Sequence, residues 1–457
     1  ILILTDDQGW WDIGTHGNPY IETPSMDRLA SEGINYRRFY ASPVCAPTRA
    51  ALMTGRYYLR TGIYNTRFGG DTMQSTEITI AEILRNRGYR TALFGKWHLG
   101  HYRRFHPDQR GFDEFLGFTQ GHIERYFYPD QLMNNGRRVR ARGHVTNLFT
   151  DSAIGFVRAN RARPFFLYLV LMTPHGPYNR YPPHYDRELF TEPLPGAERR
   201  LPFAKEISES EQGIPRAVRQ GDHDTLGHYV DRYDRSVRHA DAQLGRLFEA
   251  MEREGLLRNT IIAVTSDHGE ALGDHGSVAH GVLLYEPLIR VPWILWDPQR
   301  LAAGRVWREP VSLADVAPTL LGLAGGARAP TFDGRDLSPD LRAGRESPAE
   351  RYVSAVYLRR EQFRRFAVRG RCLKLIRDAL RDREELYDLC RDPAEKENLA
   401  ATPLGAEAAA ERERLRHEMR RLVAAYPVST EEVSPAPIWP KLADELRALG
   451  YLGGARR

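Results

Sequence analysis

Apolar positions along this chain gather in short unbroken runs, and helical spacing fills the stretches between them. The runs Ile1–Thr5, Thr91–Gly95, Phe165–Met172, Thr260–Ser266 and Val291–Trp296 predict strands buried on both faces, the pattern of a parallel sheet. Helical periodicity covers Pro24–Glu32, Ile78–Arg87 and Asp234–Glu254, each followed by a glycine, and Ser312–Leu323, with Ser312 as N-cap. Strands alternating with helices predict an α/β protein with a large, mostly parallel sheet sandwiched by helices. Near residue 345 the pattern changes. Tyr352–Leu358, Arg365–Arg369, Leu373–Arg377 and Glu385–Leu389 read as short antiparallel strands, followed by a helix over Ala406–Ala425. The expected division is a large domain over 1–345 and a smaller α+β domain over 346–457.

The residues just past each strand matter more than the strands themselves. Asp6-Asp7 lies after the first, Lys96-Trp97-His98 after the second, Pro174-His175-Gly176 after the third and Asp267-His268-Gly269 after the fourth. In open α/β sheets ligands bind beyond the carboxyl ends of strands, so these clusters converge on one edge. The adjacent carboxylates Asp6 and Asp7 repel unless a cation holds them, and Asp267-His268 forms a second pair suited to a divalent ion. Such acid pairs also serve as turns or helix caps. Cys45, in Ser42-Pro43-Val44-Cys45-Ala46-Pro47-Thr48-Arg49, is the fifth element. Pro47 fits a first helical turn and Gly55 a helix end, which puts Cys45 at a helix N-terminus with Arg49 one turn on.

The remaining composition narrows the picture. The formal charge is +6 and only five of the 65 basic residues are lysines. A basic surface draws polyanionic substrates, and no nucleic-acid motif accompanies the charge, so no nucleic-acid partner is expected. Arg137–Arg142 reads as a solvated turn, with contact to an anionic glycan as the second reading. Pro193–Asp224 reads as a long surface loop. With three cysteines there is no disulfide framework; Cys372 and Cys390 flank a hairpin and could pair. No apolar run is long enough to span a membrane. The chain starts inside a strand without Met, so its true N-terminus reads as missing, and neither a signal peptide nor a compartment can be read from it.

The Cys45 segment through Gly55-Arg56 closely resembles the maturation and active-site segment of type I sulfatases, within the alkaline phosphatase superfamily. Gly95-Lys96-Trp97-His98-Leu99-Gly100 resembles a second segment of that family, and Leu386-Tyr387-Asp388-Leu389 and Glu445–Leu452 resemble its C-terminal part. The resemblance implies an alkaline-phosphatase-like fold and hydrolysis of a sulfate ester, with a sulfated carbohydrate as working substrate. It implies that a formylglycine-generating enzyme oxidises Cys45 to formylglycine before folding. It implies one divalent cation, Ca²⁺ first, held by Asp6, Asp7, Asp267, His268 and the modified residue 45; an oxygen shell leaves Mg²⁺ open and His268 leaves Mn²⁺ open.

The same resemblance makes Lys96 a sulfate ligand and Arg49 a stabiliser of the ionised hydroxyl. His98 is a hydrogen-bond partner of the hydrated aldehyde, and His175 a contact of the bridging ester oxygen. One position departs from the family pattern. Where many sulfatases have a second lysine, this chain has His280, with His275 as nearby rival, and either His175 or His280 protonates the departing alcohol. The stretches Tyr102–Tyr128 and Tyr178–Asp224 are expected to set specificity. Two rivals stand beside this reading: a phosphonate monoester or phosphodiester hydrolase of the same superfamily, and a non-catalytic glycan-binding protein.

Overall fold

The computed structural model describes residues 1–66, 70–123, 125, 127–176, 178, 198, 203–204, 214–215, 225–326, 329–346, 352–359 and 363–425. Its centre is a ten-stranded mixed sheet. In chain order the strands are β1 (Leu2–Asp6), β2 (Ile34–Tyr36), β4 (Arg90–Lys96), β5 (Glu114–Phe118), β6 (Gln131–Asn134), β7 (Arg137–Arg140), β8 (Phe165–Pro174), β11 (Ile262–Ser266), β12 (Trp293–Trp296) and β13 (Arg305–Trp307). Two small pairs use β3 (Phe39–Tyr40) with β14 (Val311–Ser312), and β9 (Phe203–Ala204) with β10 (Ile214–Pro215). Across the sheet the order is β13-β2-β12-β11-β1-β8-β4-β5-β6-β7, and the run from β11 to β5 is parallel throughout.

Alternate residues of the central strands feed two cores. Leu2 and Leu4 face one core, with α2 (Cys45–Thr54), α3 (Ile80–Asn86) and α7 (Val316–Leu323). Ile1 and Ile3 face the other, with α1 (Pro24–Glu32), α4 (Val145–Ala159) and α5 (Leu226–Arg253). A strand apolar at every position needs cover on both sides, and the two helical layers provide it.

Three expectations are corrected. Val291–Trp296 is not a parallel strand: β12 pairs antiparallel with both β11 and β2. Between β11 and β12 lie only a 3-10 turn (Asp274–Gly276) and the four-residue helix α6 (Glu286–Ile289), neither of them a crossover helix, so the chain turns back. The helix expected to begin at Asp234 begins at Leu226, because Tyr229 and Tyr233 extend its buried face. Arg137–Arg142 is not a turn. Arg137–Arg140 is the outermost strand, joined to β6 by Asn135-Gly136, both with positive φ (45° and 80°), as a two-residue hairpin needs. Most of Pro193–Asp224 and all of Glu445–Leu452 lie outside the described residues.

A smaller C-terminal domain is a four-stranded antiparallel sheet, β15 (Val353–Arg359), β16 (Phe363–Arg369), β17 (Leu373–Asp378) and β18 (Arg383–Asp388), after α8 (Ser338–Arg342) and before α9 (Ala406–Ala425). Leu415 and Met419 of α9 cover one face. The other face, with Ala355, Tyr357 and Ile376, packs on Tyr40, Val44 and Leu284 of the large domain. A buried ion cluster joins the two. Lys374 lies 3.1 Å from Glu286 and 2.8 Å from Glu395, and Tyr40 donates to Glu286 at 2.9 Å. Cys372 and Cys390 form a disulfide beside this sheet. No helix among the described residues is long and apolar enough to cross a membrane.

Candidate active site

The parallel register sets Thr5 beside Ser266, so the residues just past β1 and β11 emerge side by side. Asp6 ends β1, and Asp7 leaves it with φ 73°, a left-handed conformation that non-glycine residues adopt at a cost. Asp7 N–H donates to Asp267 Oδ1 at 3.0 Å, which ties the two strand ends together. Cys45 is the first residue of α2, Val44 before it is extended, and Gly55 closes the helix at φ 61°. All ten residues of α2 are buried, Arg49 included.

These elements meet around the Cys45 thiol. Its Sγ lies 3.2 Å from His268 Nε2 and 3.4 Å from Lys96 Nζ. Lys96 Nζ also donates to Asp6 Oδ2 at 3.0 Å. Arg49 Nη2 bridges Asp6 Oδ1 at 3.1 Å and Asp267 Oδ2 at 2.7 Å, and its Nη1 donates to the Lys96 carbonyl at 2.9 Å. A fully buried guanidinium held this way is a rigid brace, since removing either carboxylate would strand a charge.

Asp7 is the exception. Both its carboxylate oxygens are buried and accept no hydrogen bond from the described residues. Around them stand three imidazole nitrogens, His268 Nε2 at 3.3 Å, His280 Nδ1 at 3.7 Å and His175 Nε2 at 3.9 Å. Burial pushes Asp7 up to about 7 despite His280 and His268. Asp6 differs: burial would raise it, but Lys96 and Arg49 hold it well below the usual carboxylate range. Burial drives the Cys45 thiol up, with Lys96 opposing.

Ligand atoms of Asp7, Cys45, His268 and His280 lie within 4.8 Å of one another, and so do those of Asp6, Cys45 and Asp267. The two groups share Cys45. An orphaned buried carboxylate beside imidazole and further carboxylates is a donor set that fits a divalent cation.

His275 and His280, in the loop after β11, lie in different surroundings. His275 stacks on Tyr285 with ring centroids 3.7 Å apart, beside the C-terminal domain. His280 instead faces the site, with its Nδ1 3.0 Å from Glu270 Oε2 and its ring centroid 4.1 Å from that of His268. Burial would lower His280, but Asp7 and Glu270 lift it well above the ordinary imidazole range. His175 is held with Nδ1 2.7 Å from the Gly176 carbonyl, and burial lowers it well below the ordinary range. Burial, Lys96 and Arg49 do the same to His98. His98 is not among the hydrogen-bond neighbours of Cys45: its Nε2 lies 3.3 Å from the Thr66 carbonyl, and its buried Nδ1 has no partner among the described residues. Only glycine fits at 121, because a Cβ there would lie 2.5 Å from the His98 ring.

Sequence reasoning missed Glu270, Tyr178, Tyr233 and Asp12. Tyr178 OH donates to Glu270 Oε2 at 3.0 Å, and Tyr233 OH lies 2.7 Å from the Asp7 carbonyl and 2.6 Å from Asp12 Oδ2. Glu270 had a signal, since it stands two residues past His268 at a strand end.

Comparison with known proteins agrees with this geometry. Residues 1–327 match the Sulfatase family, and residues 273–424 match the C-terminal region described for N-sulphoglucosamine sulphohydrolase. The chain belongs to the sulfatase family. It is 31% identical to the N-acetylgalactosamine-6-sulfatase of Mus musculus, over 75% of this chain and 66% of that protein. This sulfatase-family chain therefore spans just under two thirds of that relative. It is 26% identical to an N-acetylglucosamine-6-O-sulfatase of Bacteroides thetaiotaomicron, over 87% of this chain and 82% of that one. Among solved structures, one in complex with its substrate D-glucosamine-2-N,6-O-disulfate superposes with a TM-score of 0.78 at 26% identity. The match covers 94% of this chain and 99% of that one.

Proposed function

We propose that this sulfatase hydrolyses sulfate esters of carbohydrates, with a 6-sulfated amino sugar as the first class to test. The relatives named above, two by their activity and one by its bound substrate, all point to such sugars. The observation that carries the reading is the position of Cys45 Sγ, between His268 and Lys96 and shared by two convergent ligand groups.

We assign Asp6, Asp7, Asp267 and His268, with residue 45, as holders of one divalent cation, Ca²⁺ first among candidates; such an ion, when bound, neutralises charge on the sulfate oxygens. Oxidation of Cys45 to formylglycine would supply an aldehyde whose hydrate has two hydroxyls, one to attack sulfur and a second whose deprotonation expels the sulfate and restores the aldehyde, a route that a serine ester lacks. The chain's other groups have definable tasks. Arg49 fixes the Asp6 and Asp267 carboxylates and places fixed positive charge against residue 45. Lys96, fully buried and on Asp6, brings a second positive charge to the anionic ester. His280, which Asp7 and Glu270 lift well above the ordinary imidazole range, is assigned as proton donor to the leaving alcohol, while His175, with its Nδ1 on the Gly176 carbonyl and its proton affinity lowered by burial, is assigned as a contact of the bridging oxygen. Glu270 holds His280 through Nδ1 and so orients its ring. His98, with one unpartnered ring nitrogen, is assigned as proton acceptor.

Two measurements test the reading. The mass of the peptide containing residue 45 should be about 18 Da below that of the cysteine form, scaled to the fraction converted. The converted protein should cleave a chromogenic sulfate ester faster than the phosphodiester of the same chromophore. The reverse preference would favour the phosphonate or phosphodiester reading. No turnover of either ester by fully converted protein would favour the glycan-binding reading. Chelation should abolish turnover, and adding back Ca²⁺, Mg²⁺ or Mn²⁺ separately identifies the ion.

A further inference from the structure

We propose that the basic edge strand β7 and the residues after it form a docking surface for the polyanionic remainder of a sulfated glycan chain. The inference rests on the sulfatase reading and extends the substrate beyond a single sulfated sugar. Arg137, Arg138, Arg140 and Arg142 are all exposed, and no acidic residue occurs from Gln131 to Thr150. Two exposed arginines in neighbouring segments are neutralised locally, Arg103 by Asp108 at 2.7 Å and Arg125 by Asp130 at 3.0 Å. Among the described residues Arg137, Arg140 and Arg142 have no ion pair. Their field therefore reaches solvent uncompensated, and a cluster of this kind concentrates polyanions.

The register places this charge relative to the site. Lys96 of β4 pairs with Phe118 of β5, Gly117 of β5 with Met133 of β6, and Met133 with Arg138 of β7. Carrying that register across, Val139 is level with Lys96, three strand spacings away, or about 14 Å. β7 runs antiparallel to β6, which is antiparallel to β5, so β7 points the same way as β4. Arg140 and then Arg142 thus step toward the sheet edge that carries Cys45. Val139 and Ala141 pack against the second core, and strand alternation sends Arg138 and Arg140 to the opposite face. An extended anionic chain with one ester at Cys45 can continue over these guanidinium groups.

Charge on an outermost strand also discourages edge-to-edge pairing. That role needs charge on the ladder alone, and it gives no reason for Arg142 beyond the strand's end. Nucleic acid shares the charge but not the sulfate ester that the adjoining site would accept.

The test uses the full chain with Arg137→Ser, Arg138→Ser, Arg140→Ser and Arg142→Ser combined, and the Arg140→Ser/Arg142→Ser pair as a milder variant should the fourfold one fail to fold. Heparin serves as polyanion probe and a chromogenic sulfate as small substrate. The fourfold variant should leave immobilised heparin at lower salt than the parent. It should need on the order of tenfold more heparin for half-inhibition of small-substrate turnover at low ionic strength, a gap that closes at high salt. Turnover of the small substrate without heparin should stay within about twofold of the parent. Unchanged heparin elution overturns the proposal, as does tighter binding of single-stranded DNA than of heparin at matched charge. If neither protein cleaves any sulfate ester, the sulfatase reading fails by itself, and heparin elution still decides the surface.

Discussion

Among the described residues two lysines are fully buried, Lys374 between two carboxylates and Lys96 against one, and their surroundings differ. Lys374 is enclosed by Glu286 and Glu395, with Tyr40 bonded to Glu286 and the Glu286 N–H donating to Glu395 at 2.6 Å. That cluster is closed and joins two domains. Lys96 shares Asp6 with Arg49, but beside them stand a thiol and an aspartate whose oxygens accept nothing. Burial of charge does not separate structure from chemistry here. The distinguishing feature is distance: all four carboxylate oxygens around Lys374 have a donor group within 3.1 Å, whereas the imidazoles around Asp7 stand at 3.3 Å and beyond, and leaving a buried carboxylate so costs stability unless a ligand completes it.

The sharpest attempt to break this contrast is Cys45→Ala. Sulfate-ester turnover should fall by roughly a thousandfold or more, with folding retained; turnover near the parent level would remove Cys45 from the chemistry. Lys374→Met should invert the result. It leaves Glu286 and Glu395 buried against each other and should cost about 3–5 kcal/mol in chemical denaturation, while the folded fraction keeps parental turnover. A stable Lys374→Met protein would mean that the second cluster is no clasp.

A pH measurement reads the same clasp more gently. Burial pushes Glu395 up to about 7 from an ordinary 4.5, against the pull of Lys374. A carboxyl with a raised folded value holds its proton more tightly when folded. Its contribution to stability is complete below about 4.5 and is lost as pH rises through about 7. Unfolding free energy should decline across that window, and Glu395→Gln should flatten the decline by on the order of 1–2 kcal/mol. The smallest effect belongs to His275. His275→Ala should leave turnover within about twofold, whereas His280→Ala should lower it about a hundredfold. Equal losses would place both rings in the chemistry.

Much of this was legible in the chain. Pro24–Glu32 and Ala406–Ala425 are helices over the expected residues, and Cys45 starts its helix as Pro47 and Gly55 imply. Such signals are local: a breaker, a cap, an apolar period. The direction of β12 was not legible, because an apolar run carries no arrow and only the missing crossover helix reverses it. The Asn135-Gly136 hairpin was legible and overlooked; the arginines beyond it drew attention to charge instead of pairing. Lys374, Glu286 and Glu395 come from three separate segments, so no spacing announces them. The Glu270–His280 contact likewise exists only once the loop after β11 has closed.

That closure has a consequence in time. The thiol of residue 45 ends up with no solvent exposure, covered in part by His268, 223 residues further along. At ordinary synthesis rates of 5–20 residues per second, roughly 10–45 s pass between the emergence of the two. An enzyme that must reach this side chain therefore has at least that interval before His268 can cover it, and slower synthesis lengthens the opening.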